Sequence, residues 1–259
     1  MKPQLSIVKI GGNIIESPEE LSEFLSLFAA LPNPKVLVHG GGKRASQIES
    51  KLGLTPRLHQ GRRITDNDSL DVVVMVYAGL LNKNVVAHLQ ALQCNAIGMS
   101  GADANSILSV KRPVKDIDYG WAGDVVEVNH RAIDKLLKAD LVPVFCALTH
   151  DGKGQLLNTN ADTIASELAI GLSSRYQATL YYCFEKKGVL RNVDDENSVI
   201  RDIDEAAYLK LKAEGVIADG MLPKLDNCFH ALYKDVSRVC IGDKEMLRKN
   251  ASNYTTIQL

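Results

Sequence analysis

The chain has 259 residues, 46% of them hydrophobic, and 30 lysines and arginines against 31 aspartates and glutamates, for a formal net charge of −1. That length suits one large α/β domain, or two lobes sharing a sheet, with a sizeable core. The balanced charge gives no bulk attraction to nucleic acid or to a membrane surface, and no run reads as apolar and long enough to span a bilayer.

The N-terminus reads as a strand rather than a secretory signal. Cys94, Cys146, Cys183, Cys228 and Cys240 are odd in number and scattered, with no CxxC or Cys/His spacing. Neither a metal site nor a disulfide framework is expected; reduced, buried thiols in a cytoplasmic protein are.

Leu5 to Ile10 reads as a buried strand interrupted by Lys9 and ended by Gly11-Gly12. A lysine in a core strand is costly unless its charge has a partner, and a cation beside bare backbone N–H groups suits a phosphate. Ser17-Pro18 opens a helix with a capping hydroxyl and a proline in the first turn, and Leu21, Phe24, Leu25 and Phe28 repeat at helical spacing. Lys35 to His39 is a second buried strand, so strand, helix and strand form a parallel crossover. It runs into Gly40-Gly41-Gly42-Lys43-Arg44 and a helix through Leu52. Three consecutive glycines exceed what a tight turn needs, and a helix N-terminus favours an anion.

Leu58 to Thr65, with Arg62 and Arg63, is a hairpin or loop that carries an arginine toward a carboxylate. Asp66 to Leu92 reads as one long apolar helix whose second face suits a subunit interface. Residues 95–103 are a strand entering a small-residue turn, and 106–110 and 125–128 are further strands around Trp121. Asn129 caps a helix through Lys138, 141–145 is a buried strand, and Asp151-Gly152-Lys153-Gly154 has hairpin chemistry. Asn158, Asn160 and Asp162 lie on alternate positions before a helix; a cap needs only one of them, so the surplus faces a ligand. A strand at 178–183, a helix at 204–213, a stretch from Gly215 to Lys224 that leads into a last helix through Lys234, a strand at 236–241, a short helix at 244–250 and an edge strand at 255–259 complete the chain.

In order along the chain, Lys9-Ile10-Gly11-Gly12, Val38-His39-Gly40-Gly41-Gly42, Asn158-Thr159-Asn160-Ala161-Asp162 and Asp219-Gly220-Met221-Leu222-Pro223-Lys224 resemble blocks of the amino acid kinase family. Gly61-Arg62-Arg63-Ile64-Thr65 resembles the block of its acetylglutamate branch. The resemblance implies a three-layer αβα sandwich around a mainly parallel open sheet of about eight strands. It implies one domain over 1–259, with an N-terminal lobe (1–172) for the acyl amino acid and dimerisation and a C-terminal lobe (173–259) for ATP.

The implied reaction moves the γ-phosphoryl of ATP, with Mg2+, to the side-chain carboxylate of N-acetyl-L-glutamate, in arginine biosynthesis. By the family pattern, Lys9 and Lys224 stabilise the transferring group and Asp162 orients both. Arg63, Asn158, Gly41 and Gly42 hold the acyl amino acid. Gly11, Gly12, Gly188, Asp219 and Met221 fall on the nucleotide side. The chain departs from the family at Cys183 to Gly188, among the nucleotide contacts. It also has Ala102 where lysine is frequent, which keeps N-succinylglutamate as an alternative substrate. No helix precedes the first strand, which implies an arginine-insensitive homodimer. A non-catalytic amino acid sensor on this fold would be expected to lack Lys9, Asp162 or Lys224, and all three are present. Neither glycine loop spells G-x-G-x-x-G, against a dinucleotide module.

Overall fold

A computed structural model describes residues 2–11, 13–217 and 221–259 of the chain. The chain opens with β1 (Gln4–Ile10), whose last four residues are all buried. The loop after it leads into α1 (Pro18–Ala30), where the Ser17 hydroxyl accepts the Glu20 N–H at 3.3 Å. Phe24, Leu25 and Phe28 on this helix are fully buried. β2 (Lys35–His39) pairs parallel with β1 and passes directly into α2 (Gly42–Lys51). The predicted hairpin is β3 (Leu58–His59) and β4 (Arg62–Arg63).

The long helix predicted from Asp66 starts with that residue as its cap, but it is not uniform. α3 (Asn67–Val74) and α4 (Asn82–Ala91) are joined by a π-helical stretch, Met75–Leu81. Such wide turns shift the phase of a helix and recur at functional sites. Asn67–Ala91 is 25 residues long and contains an 18-residue stretch of mean hydropathy 1.5, so this helix is long and apolar enough to cross a membrane by length and composition. That corrects the expectation of no such run. Its buried face packs on α1, α2, β5 (Ala96–Met99) and, further along the chain, the strand of residues 142–146.

β6 (Ile107–Lys111) and β7 (Gly123–Val128) follow, then α5 (His130–Lys138), capped by Asn129 as predicted. β8 (Val142–Cys146) is buried throughout. β9 (Leu148–His150) and β10 (Leu156–Asn158) form the hairpin predicted at Asp151 to Gly154. α6 (Ala161–Ser173) leads to β11 (Gln177–Cys183), and then come β12 (Asp202–Ile203), α7 (Glu205–Ala213), α8 (Leu222–Tyr233), β13 (Arg238–Gly242) and β14 (Thr255–Ile257).

Eight strands form one sheet in the order β12-β14-β13-β11-β1-β2-β8-β5, and only the β13–β14 pairing is antiparallel. α6 packs with α5 and α8, and α1 with α4, giving a helical layer on each side. The sheet is therefore the mainly parallel, doubly covered one predicted. One detail differs: β14 is not the edge, because the two-residue β12 lies outside it. A second sheet, β10-β9-β6-β7, stands beside the main one.

β1 occupies the position where strand order reverses, with β2 on one flank and β11 on the other. In open parallel sheets, ligands bind outside the carboxyl ends of the strands at such a switch point.

Candidate active site

Lys9 is the next-to-last residue of β1, level with Val38 of β2 and Tyr182 of β11. Both neighbouring strands pair alongside it, and its side chain stands out from one face of the sheet to end in an ammonium tip. That tip meets Asp162 in the first turn of α6, with Nζ 2.7 Å from Oδ1. From α8, the Lys224 Nζ lies 3.5 Å from Oδ2 of the same carboxylate and 5.8 Å from the centroid of the Phe184 ring. Two ammonium groups from opposite halves of the chain therefore share one aspartate. Burial works to raise the Asp162 pKa, but Lys9 and then Lys224 outweigh it and hold the carboxyl below its ordinary range. Asp162 does not cap its helix: the cap is Asn160, whose Oδ1 accepts the Asp162 and Thr163 N–H groups at 2.7 and 3.2 Å. Of the alternating polar residues, one serves the helix, which leaves Asp162 for the lysines.

Lys9 and Asp162 open onto a cleft of about 340 Å3. Five cationic side chains line it (Lys9, Lys43, Arg62, Arg63 and Arg112), with Asp162 as the lining carboxylate. Such a balance suits anionic ligands. One wall is the glycine loop. A Cβ on Gly41 would come 2.5 Å from Leu81 Cδ1 and 2.9 Å from Tyr77 Cδ1, so the π-helical stretch presses on the loop so closely that only glycine fits. No side chain caps α2 at Gly41, and the first backbone bond into the helix is Ala45 N–H to Gly41 O. The amides ahead of Ala45 remain for a ligand.

Arg63 is 7% exposed and lines the cleft from β4. Its Nη1 pairs with Glu49, while Nη2 donates to Gly42 O at 2.8 Å and Ser46 Oγ at 2.7 Å. Glu49, fully buried on α2, also accepts from the Ser69 hydroxyl at 2.5 Å. Arg63 Nε has no hydrogen-bond partner among the described residues. The arginine thus buttresses the glycine loop and keeps part of its donor fork in reserve. Asn158 lies across the cleft, its Nδ2 donating to Thr65 Oγ1 at 3.0 Å and its own N–H to Trp121 O at 2.8 Å. Trp121 N–H in turn donates to Thr65 O at 2.7 Å, so the lone tryptophan matters here through its main chain.

The structure brings Lys9, Asp162 and Lys224 together, and places Gly11, Gly41, Gly42, Arg63 and Asn158 on the cleft. At Gly11 the predicted donor is already used, because its N–H donates to Cys183 O at 3.1 Å. What the residue supplies is room, since a Cβ there would sit 2.9 Å from Lys9 Nζ. Gly188 packs against Val199 and Thr255, and Met221 precedes α8 against the core, so neither lines this cleft. Gly12 and Asp219 lie outside the described residues. Sequence reading missed Glu49, Ser46, Tyr77, Lys43 and Arg112. Lys43 donates to Asn13 Oδ1, and Asn13 N–H donates to Glu185 at 2.8 Å, which ties the two glycine loops to the end of β11.

A parallel sheet with a cationic cleft at its switch point, walled by glycine loops, defines a phosphoryl-transfer class of site. The profile described as Amino acid kinase family matches residues 4–243. The chain belongs to that family. It is 54% identical over 98% of its length to the acetylglutamate kinase of Cytophaga hutchinsonii, covering 97% of that protein. It is 52% identical over 93% of its length to the acetylglutamate kinase of Bacteroides fragilis, covering 92%. The N-acetylglutamate synthase of Neisseria gonorrhoeae, solved with coenzyme A and N-acetyl-glutamate, superposes over the whole chain and 60% of its own, with a TM-score of 0.82 and 20% identity, a likeness of fold.

Proposed function

We propose that this chain transfers the γ-phosphoryl group of MgATP to the side-chain carboxylate of N-acetyl-L-glutamate, the acyl-phosphate step of arginine biosynthesis. The observation that carries the reading is that Lys9 and Lys224 share Asp162, a carboxylate that lines the cleft, together with relatives of that name at about half identity over nearly the full chain.

A glutamate side chain has a reference pKa of about 4.3 and is ionised at neutral pH, so the acceptor needs no base. The barrier is the approach of an anion to a polyanion, which positioning and charge neutralisation lower. Lys9 meets the transferring group from the acceptor side and Lys224 from the nucleotide side, with Asp162 setting where both ammonium groups point. The free amides of the glycine loop, Asn158 and the spare donors of Arg63 receive the acyl amino acid and its carboxylates. The nucleotide lies over the C-terminal lobe (173–259), beside Phe184, Glu185 and Lys224.

Mg2+ arrives on the triphosphate. The described residues hold no cluster of three carboxylate, His or Cys ligands, and an ion carried on phosphate oxygens and water needs no such cage. The exposed apolar residues Met75 and Leu80 on the long helix suit burial against a second copy, as a homodimer. Five free, buried thiols suit a reducing cytoplasm.

An ATP-dependent hydroxamate assay tests the reading. Hydroxamate should form with N-acetyl-L-glutamate and not with free glutamate. No ATP-dependent product from the acetylated substrate refutes the proposal, and a clear preference for N-succinylglutamate moves the acyl-group assignment.

A further inference from the structure

The residue ahead of the glycine loop is a histidine with no contact to the cleft. His39 ends β2 and is fully buried. Its Nδ1 lies 2.8 Å from Gly40 O, and its Nε2 lies 3.0 Å from Asn82 Nδ2. The amide nitrogen of Asn82 can only donate, so Nε2 accepts and Nδ1 carries the proton that goes to Gly40 O. Asn82 spends its other N–H on Val144 O at 2.9 Å, and its Oδ1 accepts from Lys83 at 3.2 Å, which fixes which way the amide faces. Burial favours the neutral ring, pushing its pKa down to about 4, so near neutral pH the imidazole keeps one donor and one acceptor.

The consequence follows from peptide geometry. The Gly40–Gly41 peptide is trans, so its C=O and N–H point in opposite directions. Holding Gly40 O inward toward His39 turns the Gly41 N–H outward, on the side of the cleft that Gly40, Gly41 and Gly42 line. That N–H has no backbone partner among the described residues. Glycine is the residue least able to hold a peptide plane by itself, and Gly41 cannot carry a side chain here because of Leu81 and Tyr77. The orientation must therefore be imposed from outside the loop.

We propose that His39, seated by Asn82, is a positioning residue that locks the Gly40–Gly41 peptide so that the Gly41 N–H faces the anionic reactants. This rests on the reading of the cleft as a phosphoryl-transfer site, and wild-type turnover in the hydroxamate assay tests that reading first. An inactive wild type sinks the function itself. With an active wild type, the variants below test only the positioning.

The amide nitrogen of asparagine sits where Nδ1 of histidine sits, and that of glutamine where Nε2 sits. His39→Asn should therefore keep kcat within about threefold of wild type. His39→Gln should lower kcat roughly 10- to 100-fold while moving either KM far less, as expected for a misaimed donor. Asn82→Ala frees the ring and should lower kcat in the same direction by a smaller factor. The proposal is overturned if His39→Asn and His39→Gln lose kcat alike, or if His39→Gln and Asn82→Ala lower the melting temperature and leave kcat unchanged. Should the glutamine variant fail to fold, 15N NMR of the wild type decides: Nδ1 must be protonated and Nε2 bare, and the opposite tautomer overturns the proposal.

Discussion

Exchanging Asp162 for asparagine keeps the side chain's shape and removes the charge that two ammonium groups share. At 2.7 Å from Lys9 and 3.5 Å from Lys224, unit charges attract by about 6 and about 5 kcal/mol at an effective dielectric constant near 20. These gross attractions mostly offset the desolvation of three ions, and they do not survive equally. The Lys9 side chain is 11% exposed, against 32% for Lys224. Losing its partner strands the Lys9 ammonium, a penalty on the order of 3 kcal/mol. Lys224 turns to water instead, so its pair keeps about 1 kcal/mol or less.

Double-mutant cycles on urea unfolding read these as couplings. Lys9→Met with Asp162→Asn should give about 2–3 kcal/mol, and Lys224→Met with Asp162→Asn below about 1 kcal/mol. In the hydroxamate assay Asp162→Asn should lose on the order of 100-fold or more in kcat. The KM for ATP should stay level or fall, because the triphosphate then meets a more positive site. Equal couplings in the two cycles, or a variant within about threefold of the wild-type kcat, would refute the assignment of Asp162 as the group that orders both lysines.

The glycine loop offers a paired test. Gly41→Ala should cost about 1–3 kcal/mol of stability from overpacking and lower kcat, whereas Gly40→Ala, whose Cβ meets only Ala161 at 3.8 Å, should be near neutral in a thermal melt. Glu49→Gln leaves the buried Arg63 without its anion and should destabilise by about 3–5 kcal/mol, with a raised KM for the acyl amino acid; an unchanged melting temperature would contradict the buttress. Stability should also carry the signature of His39, whose pKa is depressed to about 4 from an ordinary 6.5. Below pH 6.5 the unfolded chain takes up a proton that the folded ring refuses, so stability falls as pH drops toward 4, by up to about 3 kcal/mol. His39→Asn should flatten that slope in denaturant titrations at pH 7 and pH 5. Asp162 behaves differently: with its pKa held low, its contribution is complete above the ordinary carboxylate range and is lost only as pH falls through the lower native value.

The order of strands and helices was legible because most elements carry their own period and several helices their own cap. Ser17, Asp66, Asn129 and Asn160 are all observed caps. Lys9 was legible as a site because a charge in an apolar strand demands a partner, and the structure supplies Asp162. What stayed hidden depends on partners distant in sequence. Glu49 reads as a solvated residue on a charged helix, yet it is fully buried because Arg63 and Ser69 meet it there. The π-helical stretch at Met75–Leu81 has the same composition as an ordinary helix, and only its packing against Gly41 gives it a reason. The Gly11 amide was assigned to a phosphate because local sequence cannot show that Cys183 O already accepts it.

The central place of β1 has a consequence for synthesis. Gln4 to Ile10 leave the ribosome long before one of their two neighbouring strands, which begins at Gln177. Until then the nascent sheet presents an unpaired edge of buried, apolar residues, the kind of surface that invites association between unfinished chains. Closing so long a loop is slow, and Lys224 joins the cluster later still. A protein truncated anywhere before that lysine should have no residual turnover, and the incomplete chain should depend on holdase chaperones until its C-terminal half emerges.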